Sequence, residues 1–353
     1  MKQIDERDII FSRMNYKQGT PQYDDYYSRN PDKKLIDDNL RSMPQMGNVG
    51  NTFYDAINSP IVDAAFKFLS DIKKYSEGEI SQRKIDIDPK TATERLKGLA
   101  RFYGAKLVGI AKMENYHYYS NRGREAVNYG EEITEHHKYG IVFAVEMERE
   151  MIYRAPQLSE SIAVTKGYVD AAIIGMILSY YIRRLGYEAR NHMDGNYLVI
   201  APLVAESAGL GEFGRHGLLV TREYGPRVRL GVVTTDMPLL YDEKDYFGMH
   251  EFCELCVLCS RVCPGRCIPE GGQCETDGLM RWKIDSEACY SRWRMLGTDC
   301  GICLASCPFS SSVDSELISK MKESAAVRLE ILEMHKIKHG IRPYIKGDVD
   351  WMI

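Results

Sequence analysis

The sequence predicts an α+β fold followed by a separate cysteine-rich domain, and two observations lead to this prediction. Helical and strand-like hydrophobic patterns mix over residues 61–241 without a regular βαβ repeat, which argues against a doubly wound parallel sheet. All ten cysteines lie between Cys253 and Cys307. A chain of 353 residues is long enough for one large or two modest domains with a real core.

Patterning and composition divide the chain into four parts. Residues 1–60 are polar, rich in tyrosine and weakly periodic, which predicts an irregular arm on the surface. A core domain is expected over 61–241, a cysteine domain over 242–312, and a helix with a tail over 313–353. The second boundary is placed at the charged run that begins with Asp242, where the composition changes.

Hydrophobic periodicity and end signals predict the individual elements. Proline in a first helical turn and glycine after a last turn mark helix ends, and short runs rich in β-branched residues mark strands. These signals predict helices over 59–75, 89–103, from Ser159 or Ser161 to Leu185, and over 313–338, and strands over 106–111, 139–146, 197–201, 218–221 and 228–234.

Composition and charge exclude some classes of function. Apolar residues make up 44% of the chain and charged residues 27%, as in globular proteins. The net charge of -4 argues against nucleic-acid binding by bulk electrostatics. No apolar run reaches the roughly 18 residues of a membrane span, and the N-terminus shows no apolar signal peptide.

Two cysteine runs have the spacing of iron–sulfur proteins. The first, from Cys253 to Cys263, reads C-x2-C-x2-C-x3-C-P. The second, from Cys300 to Cys307, reads C-x2-C-x3-C-P, and Cys289 stands eleven positions ahead of it. Bacterial ferredoxins hold two clusters with this spacing, and the cysteine before proline in each run serves the cluster of the other.

The spacing therefore predicts two iron–sulfur clusters with crossed ligands. Disulfides and zinc are the alternatives, but consecutive C-x2-C steps cannot all be bridged locally. Cys267 and Cys274 are left over as free thiols, although Cys274 competes with Cys289 as a ligand candidate. One cluster is assigned to Cys253, Cys256, Cys259 and Cys307, and the other to Cys263, Cys289, Cys300 and Cys303.

Two further motifs are weak. The letters G-x-G-x-x-G begin at Gly209, but they precede a strand instead of following one and opening a helix, so no dinucleotide site is predicted. The run Glu135-His-His-Lys-Tyr-Gly140 echoes the D-x-H-x-x-G cobalamin motif with Glu for Asp. Its position ahead of an apolar strand does not suit that motif, and we treat the match as coincidental.

Several runs together resemble the corrinoid-dependent reductive dehalogenases. The longest is Gly209 to Leu239, GLGEFGRHGLLVTREYGPRVRLGVVTTDMPL. The segment from Trp282 to Phe309, which contains GTDCGICLASCPF, is also similar to that family, as are Gly167-Tyr168 and the run GTPQYDDYY from Gly19. The resemblance covers nearly the whole chain.

The resemblance implies a fold, cofactors and a reaction. The implied fold is a nitroreductase-like core that holds a cobalamin-type corrinoid in base-off form, followed by a ferredoxin-like domain with two [4Fe-4S] clusters. The implied reaction is reductive removal of halide from an organohalide, with electrons arriving one at a time. Whether cobalt binds the halogen, attacks carbon or only passes an electron stays open.

Three site residues follow from the same resemblance. Tyr168 corresponds to the proton donor, Arg229 to its basic partner, and Asn196 to a polar residue near the substrate. A neighbouring guanidinium favours phenolate, so we expect Arg229 to lower the tyrosine pKa from its ordinary value of about 10. The chain carries two more residues than the family pattern just ahead of Asn196, so Asp194 and Asn191 are alternatives.

Two other functions would use the same cysteine domain. An enzyme like epoxyqueuosine reductase acts on transfer RNA, and it calls for a basic face and a carboxylate proton donor. This chain offers a net charge of -4, with Tyr168 and Arg229 instead. A non-catalytic electron-transfer subunit would contain the clusters but no corrinoid.

The resemblance also implies partners and a location. We expect a small organohalide substrate, a low-potential electron donor and a small membrane anchor protein, and no nucleic acid. Family members are commonly exported folded by a twin-arginine signal to the outer face of the cytoplasmic membrane. The chain begins at Met1 without that signal, so it is peripheral on that face if the signal has been removed and cytoplasmic otherwise.

Overall fold

An antiparallel sheet forms the centre of the fold in the computed structural model, which describes every residue except Glu135 and Asp277. Its strands follow the order β1-β2-β6-β3, and two short hairpins, β4-β5 and β7-β8, lie outside it. The strands are β1 (Leu107–Lys112), β2 (Tyr139–Glu146), β3 (Ala189–His192), β4 (Glu212–Phe213), β5 (Leu219–Val220), β6 (Val228–Thr235), β7 (Cys274–Thr276) and β8 (Leu279–Arg281).

Helices cover the sheet and build the C-terminal part. They are α1 (Ile10–Arg13), α2 (Pro21–Arg29), α3 (Pro31–Ser42), α4 (Ser59–Ile72), α5 (Pro89–Phe102), α6 (Arg149–Ile152), α7 (Leu158–Arg184), α8 (Ala201–Ser207), α9 (Met249–Cys256), α10 (Leu258–Val262), α11 (Ser286–Leu296), α12 (Ile302–Ser306), α13 (Ser315–Met321) and α14 (Ala325–His339). The α+β class that the sequence predicts is confirmed.

Both faces of the central sheet are covered, because successive residues of a strand point to opposite faces. On one face, Phe143 of β2 belongs to an apolar cluster with Leu178 of α7. On the other face, its neighbours Val142 and Ala144 cluster with Val204 of α8. Burial on both sides explains why β2 reads as a continuous apolar run.

The long helix α7 is a core helix. It has 27 residues, and its length and composition alone would suit a membrane span. However, 61% of its most apolar window is buried inside the protein. Two glycines bring it close to the sheet: a Cβ on Gly175 would lie 2.0 Å from Asn191 Oδ1, and one on Gly167 would lie 2.9 Å from Arg229 Cβ.

The cysteine segment is tied to the core by a buried arginine. Arg227 Nε donates to Ser310 O at 2.8 Å, and its Nη1 donates to Met147 O at 2.7 Å and to Glu146 at 3.0 Å. The side chain is fully buried, so each of these bonds offsets the cost of desolvating the guanidinium. The C-terminal helices α13 and α14 pack on the same segment.

Four sequence predictions are wrong. Residues 197–201 do not form a strand, since α8 begins at Ala201 with proline in its first turn. The missed strand β3 has buried polar side chains, which hide the strand pattern. The helix expected over 313–338 is divided into α13 and α14, and Ser324 caps the second. The arm is not irregular but contains α1 to α3.

Buried tyrosines explain the helical arm. Tyr16, Tyr23, Tyr26 and Tyr27 pack against one another as a cluster. Aromatic pairs of this kind contribute about 0.5–1.5 kcal/mol beyond the burial of their area. Because these buried positions are occupied by tyrosines, the arm lacks the aliphatic periodicity by which a helix is normally detected.

One carboxylate connects the core to the first cysteine helix. Glu212 of β4 accepts hydrogen bonds from the backbone N–H groups of Phe247, Gly248 and Met249 at 2.6, 3.0 and 3.3 Å. These groups lie at the start of α9, which carries Cys253. A negative charge at a helix N-terminus is favourable, because it satisfies donors that have no partner within the helix.

We expect Glu212→Ala to lower the free energy of unfolding by about 2–4 kcal/mol, because it leaves several buried N–H donors without an acceptor. Glu212→Gln keeps one acceptor oxygen, so its free energy of unfolding should fall by less. Urea unfolding followed by circular dichroism measures the difference. Glu206→Ala is the control, since Glu206 contacts only Lys244 at 3.4 Å among its described side-chain partners. A Glu212→Ala protein as stable as the wild type would contradict this role.

Candidate functional site

Tyr168 of α7 and Arg229 of β6 meet at the centre of the site. Arg229 Nη1 donates to Tyr168 Oη at 3.2 Å, and the guanidinium carbon lies 4.2 Å from the ring centroid. Gly167 makes the approach feasible, since a Cβ there would lie 2.9 Å from Arg229 Cβ. The structure therefore brings together two of the three residues that the sequence proposes.

The surroundings of Tyr168 keep its phenol protonated. Burial raises the pKa of Tyr168, and the charges of Asp194 and Asp299 act in the same direction. Arg229 and Arg124 act in the opposite direction, but the pKa remains above its ordinary value. Arg229 therefore lowers this pKa as expected, but burial outweighs the effect of the guanidinium.

Asn196 is hydrogen-bonded to partners outside this pair. Its Oδ1 accepts a hydrogen bond from Arg190 at 2.6 Å, and its Nδ2 donates to Lys73 O at 3.2 Å. Of the two alternatives, Asn191 is buried and donates to the backbone of Ala172 at 3.3 Å. Neither amide is among the groups that contact the phenol of Tyr168.

Asp194 is the nearby polar residue whose charge acts on Tyr168. It faces Arg124 Nη1 at 3.5 Å. Tyr197 lies in the same group, because the charges of Tyr168, Asp194 and Arg229 all act on its pKa, which burial raises. No local sequence pattern singles out Arg124 or Tyr197, because only tertiary folding brings these residues to the site.

Two buried carboxyl groups lie between the tyrosine–arginine pair and the cysteine segment. Burial raises the pKa of both Asp299 and Glu160, and Arg229 opposes this effect in each. The Asp299 N–H donates to Ser161 Oγ at 2.9 Å. A Cβ on Gly301 would lie 2.4 Å from Glu160 Oε1, so α7 contacts the second cysteine run directly.

The central side chains form a partly exposed polar patch, which we call the recess. Each keeps part of its surface accessible, although the pKa shifts of Tyr168 and Tyr197 show that protein surrounds them. In the part of the chain that the structure describes, Arg229 Nε is a buried donor without an acceptor. The lining residues are Tyr168, Asp194, Tyr197, Arg229 and Asp299.

The first group of cysteines encloses a small cavity. All four thiols are buried, and the Arg215 N–H donates to Cys253 Sγ at 3.3 Å. Burial raises the pKa of the Cys256 thiol to about 11. The cavity is lined by Cys253, Cys256, Cys259 and Cys307, so the fourth thiol comes from the second run.

The second group is more accessible and adjoins the first. Burial raises the pKa of the Cys303 thiol, and the charges of Cys259, Cys300, Cys289 and Cys263 raise it further. These five thiols are therefore close neighbours. Cys263, Cys289, Cys300 and Cys303 all keep part of their surface accessible.

The two remaining cysteines occupy different environments. Cys267 is buried, and its N–H donates to Cys263 Sγ at 3.3 Å. Cys274 lies exposed in β7, where its Sγ is 3.6 Å from Thr276 Oγ1. The cobalamin-like motif that we treated as coincidental begins at Glu135, which lies outside the described residues.

Reductive dehalogenases are among the known proteins with similar sequences and structures. No family model matches the chain. The tetrachloroethene reductive dehalogenase of Desulfitobacterium hafniense is 33% identical over 266 residues, which is 62% of this chain and 48% of that protein. The chain therefore spans about half the length of this relative.

Solved structures show the same fold. A catabolic reductive dehalogenase in complex with 3-bromo-4-hydroxybenzoic acid has a TM-score of 0.77 at 23% identity, over 97% of this chain and 47% of that chain. A reductive dehalogenase described with a mechanism for B12-dependent dehalogenation has a TM-score of 0.72 at 24% identity, over 89% of this chain and 48% of that chain.

Proposed function

We propose that this chain, which belongs to the reductive dehalogenase family, removes halide reductively from an organohalide. The observation that carries the proposal is the contact of Arg229 with Tyr168, at 3.2 Å, in a recess beside the cysteine segment. A protonated phenol next to a fixed cation is suited to give a proton to a strongly basic carbon. The names of the relatives support the class of reaction, and the substrate of this chain is left open.

We propose the same architecture that the resemblance implies. The core over residues 61–241 is nitroreductase-like and binds the corrinoid and substrate, and the domain over 242–312 resembles a bacterial ferredoxin. The arm over 1–60 and the C-terminal residues 313–353 support the core and the ferredoxin-like domain. The similarity to reductive dehalogenase structures over nearly the whole chain supports this division.

The cysteines are suited to hold two [4Fe-4S] clusters. Four buried thiols around one cavity would be destabilised as thiolates unless positive charge is bound among them, and cluster iron supplies that charge. Cys307 lines the cavity of the first run, which supports the crossed ligand assignment. Cys263 is near the thiols of the second run, as the same assignment requires.

The recess fits a corrinoid and its substrate. Arg229 Nε is a buried donor whose acceptor would come from a bound group, and Tyr168 and Tyr197 present phenols to the same space. When bound, the corrinoid supplies strongly reduced cobalt, which breaks the carbon–halogen bond.

Tyr168 supplies the proton, and Arg229 stabilises the phenolate that is left after the transfer. In the overall reaction, an organohalide, two electrons and one proton give the reduced carbon compound and halide. Burial and the charge of Asp194 favour the neutral phenol before transfer. After transfer, the phenolate accepts a charge-assisted hydrogen bond from Arg229, which is stronger than the bond to the neutral phenol.

We propose that the second cysteine group lies closer to this pair than the first group does. Asp299, the residue before Cys300, acts on the pKa of both Arg229 and Tyr168. We therefore propose that electrons pass from a low-potential donor to the cluster of Cys253 and then to the cluster of Cys300. We also propose a small membrane anchor protein as a partner. The location is the outer face of the cytoplasmic membrane if a twin-arginine signal has been removed, and the cytoplasm otherwise.

Metal analysis tests the cofactors. We expect about one cobalt and about eight irons per chain in anaerobically purified protein, because two four-iron clusters accompany one corrinoid. Cys307→Ser should lower the iron content, and Cys274→Ser, which changes an exposed cysteine outside both groups, should not. Iron without cobalt would contradict the enzymatic proposal, and an unchanged iron content in Cys307→Ser would contradict the ligand assignment.

Replacement of the proton donor tests the catalytic role. We expect Tyr168→Phe to retain cobalt and iron but to lose about 100-fold or more of its dehalogenation rate, because general acid catalysis typically contributes about that factor. Halide release with a reduced dye as electron donor measures the rate. Tyr180→Phe is the matched control, since Tyr180 lies on the same helix and is exposed. Full activity of Tyr168→Phe would remove this residue from the mechanism.

The pH dependence follows from the raised pKa of Tyr168. The phenol donates only while it is protonated, so this form is present below its folded-state pKa and is lost as the pH rises through it. Since the ordinary value is about 10, we expect no loss of rate from this group between pH 7 and about 9.5. A pH–rate profile with an alkaline midpoint below about 9, shifted upward by Arg229→Gln, would show that the pKa is not raised.

A further inference from the structure

A second polar site lies at the other end of the central sheet. Three adjacent strands end together there, since Thr235 of β6 pairs with both Tyr139 of β2 and Ala189 of β3. Asp236 follows β6 immediately and lies seven positions after Arg229 in the direction of the strand. At about 3.3 Å per residue, this end lies roughly 23 Å from the tyrosine–arginine pair.

Three potential metal ligands converge at this end. His137, Glu188 and Asp236 each offer one ligand atom, and these atoms all lie within 4.8 Å of one another. His137 Nε2 is 3.7 Å from Glu188 Oε2. The Lys138 N–H donates to Asp236 Oδ1 at 3.0 Å, which orients this carboxylate and leaves its second oxygen available.

A hydrogen-bond chain starts in the core and leads to this site. The Leu198 N–H donates to His192 Nδ1 at 3.1 Å, so the neutral ring carries its proton on Nε2. That Nε2–H then donates to Thr234 Oγ1 at 2.9 Å. Burial lowers the pKa of His192 well below its ordinary value, which keeps the ring neutral.

The same chain orients His137. Its Nδ1 lies 2.8 Å from Thr234 Oγ1. The Tyr118 phenol donates to His137 O at 3.0 Å. The Thr234 hydroxyl oxygen has two lone pairs, so it can accept hydrogen bonds from both imidazoles. In this arrangement His137 Nδ1 carries the proton, and the lone pair of Nε2 faces the two carboxylates.

A lone pair that faces two carboxylates is unfavourable unless a cation lies between them. We propose that His137, Glu188 and Asp236 bind a divalent transition-metal ion of the Zn²⁺ type. Imidazole nitrogen with carboxylate oxygens suits such ions, whereas Mg²⁺ and Ca²⁺ prefer oxygen alone. The hydrogen bond from Nδ1 to Thr234 is the outer contact that metal-binding histidines usually make.

The ion would join the ends of three strands. Its ligands precede β2, precede β3 and follow β6, so binding would restrain the ends of three strands. The Glu188 side chain is 65% exposed, which leaves space for water molecules to complete the coordination and for the ion to enter. This role is structural and independent of the reaction at Tyr168.

Zinc binding by the full chain with its iron–sulfur clusters tests the proposal. We expect equilibrium dialysis against Zn²⁺ to give about one zinc per chain beyond the metals already present. His137→Ala and Glu188→Gln should each weaken this binding by about tenfold or more. The controls are His136→Ala and Glu132→Gln, which remove the same groups nearby and should bind zinc as the wild type does.

Thermal unfolding provides a second measurement. A ligand that binds only the folded state raises the midpoint of unfolding, so Zn²⁺ should raise it in the wild type and not in Glu188→Gln. Glu188 is exposed, so this variant should fold even if His137→Ala does not. No zinc bound beyond the metals already present would overturn the proposal. Equal zinc binding in wild type, His137→Ala and Glu188→Gln would also overturn it, since it would place the ion on the thiols.

Discussion

The close approach of α7 to the central sheet is the constraint on which the other features depend. At Gly167 there is no space for a side chain against Arg229, and at Gly175 there is none against Asn191. Because the helix lies this close, it brings Tyr168 onto the guanidinium. Its N-terminal turns reach the cysteine segment through Glu160. One helix therefore sets the relative positions of the sheet, the recess and the cysteines.

Burial determines how the charged groups of the recess behave. A phenol in water would respond mainly to the nearest cation, but Tyr168 is partly buried, and its pKa rises despite Arg229. The buried carboxyl groups of Asp299 and Glu160 respond in the same way. The site thus combines a neutral phenol with a fixed positive charge. The guanidinium stabilises the phenolate more than the neutral phenol, so this extra stabilisation appears only when the phenol ionises.

The two ends of the central sheet carry groups that suit different metal ions. Arg229 stands near one end of β6, beside the recess and the cysteine segment, whereas Asp236 follows the other end. The thiols at the first end suit iron, and the imidazole and carboxylates at the second suit a more exposed divalent ion. An arginine at the first end, Arg227, also anchors the cysteine segment, so hydrogen bonds connect this segment to the sheet.

The sequence by itself determined the α+β class, the helix from 158 to 184 and the strands around residues 140 and 230, because their hydrophobic periodicity is local. Cysteine spacing determined which thiols belong together, since short loops limit where each can lie. Tertiary structure alone decided that the charges of Asp194 and Asp299 act on Tyr168, and that Asp299 acts on Arg229. It also decided the protonation of the phenol, because burial depends on contacts between residues far apart in the chain.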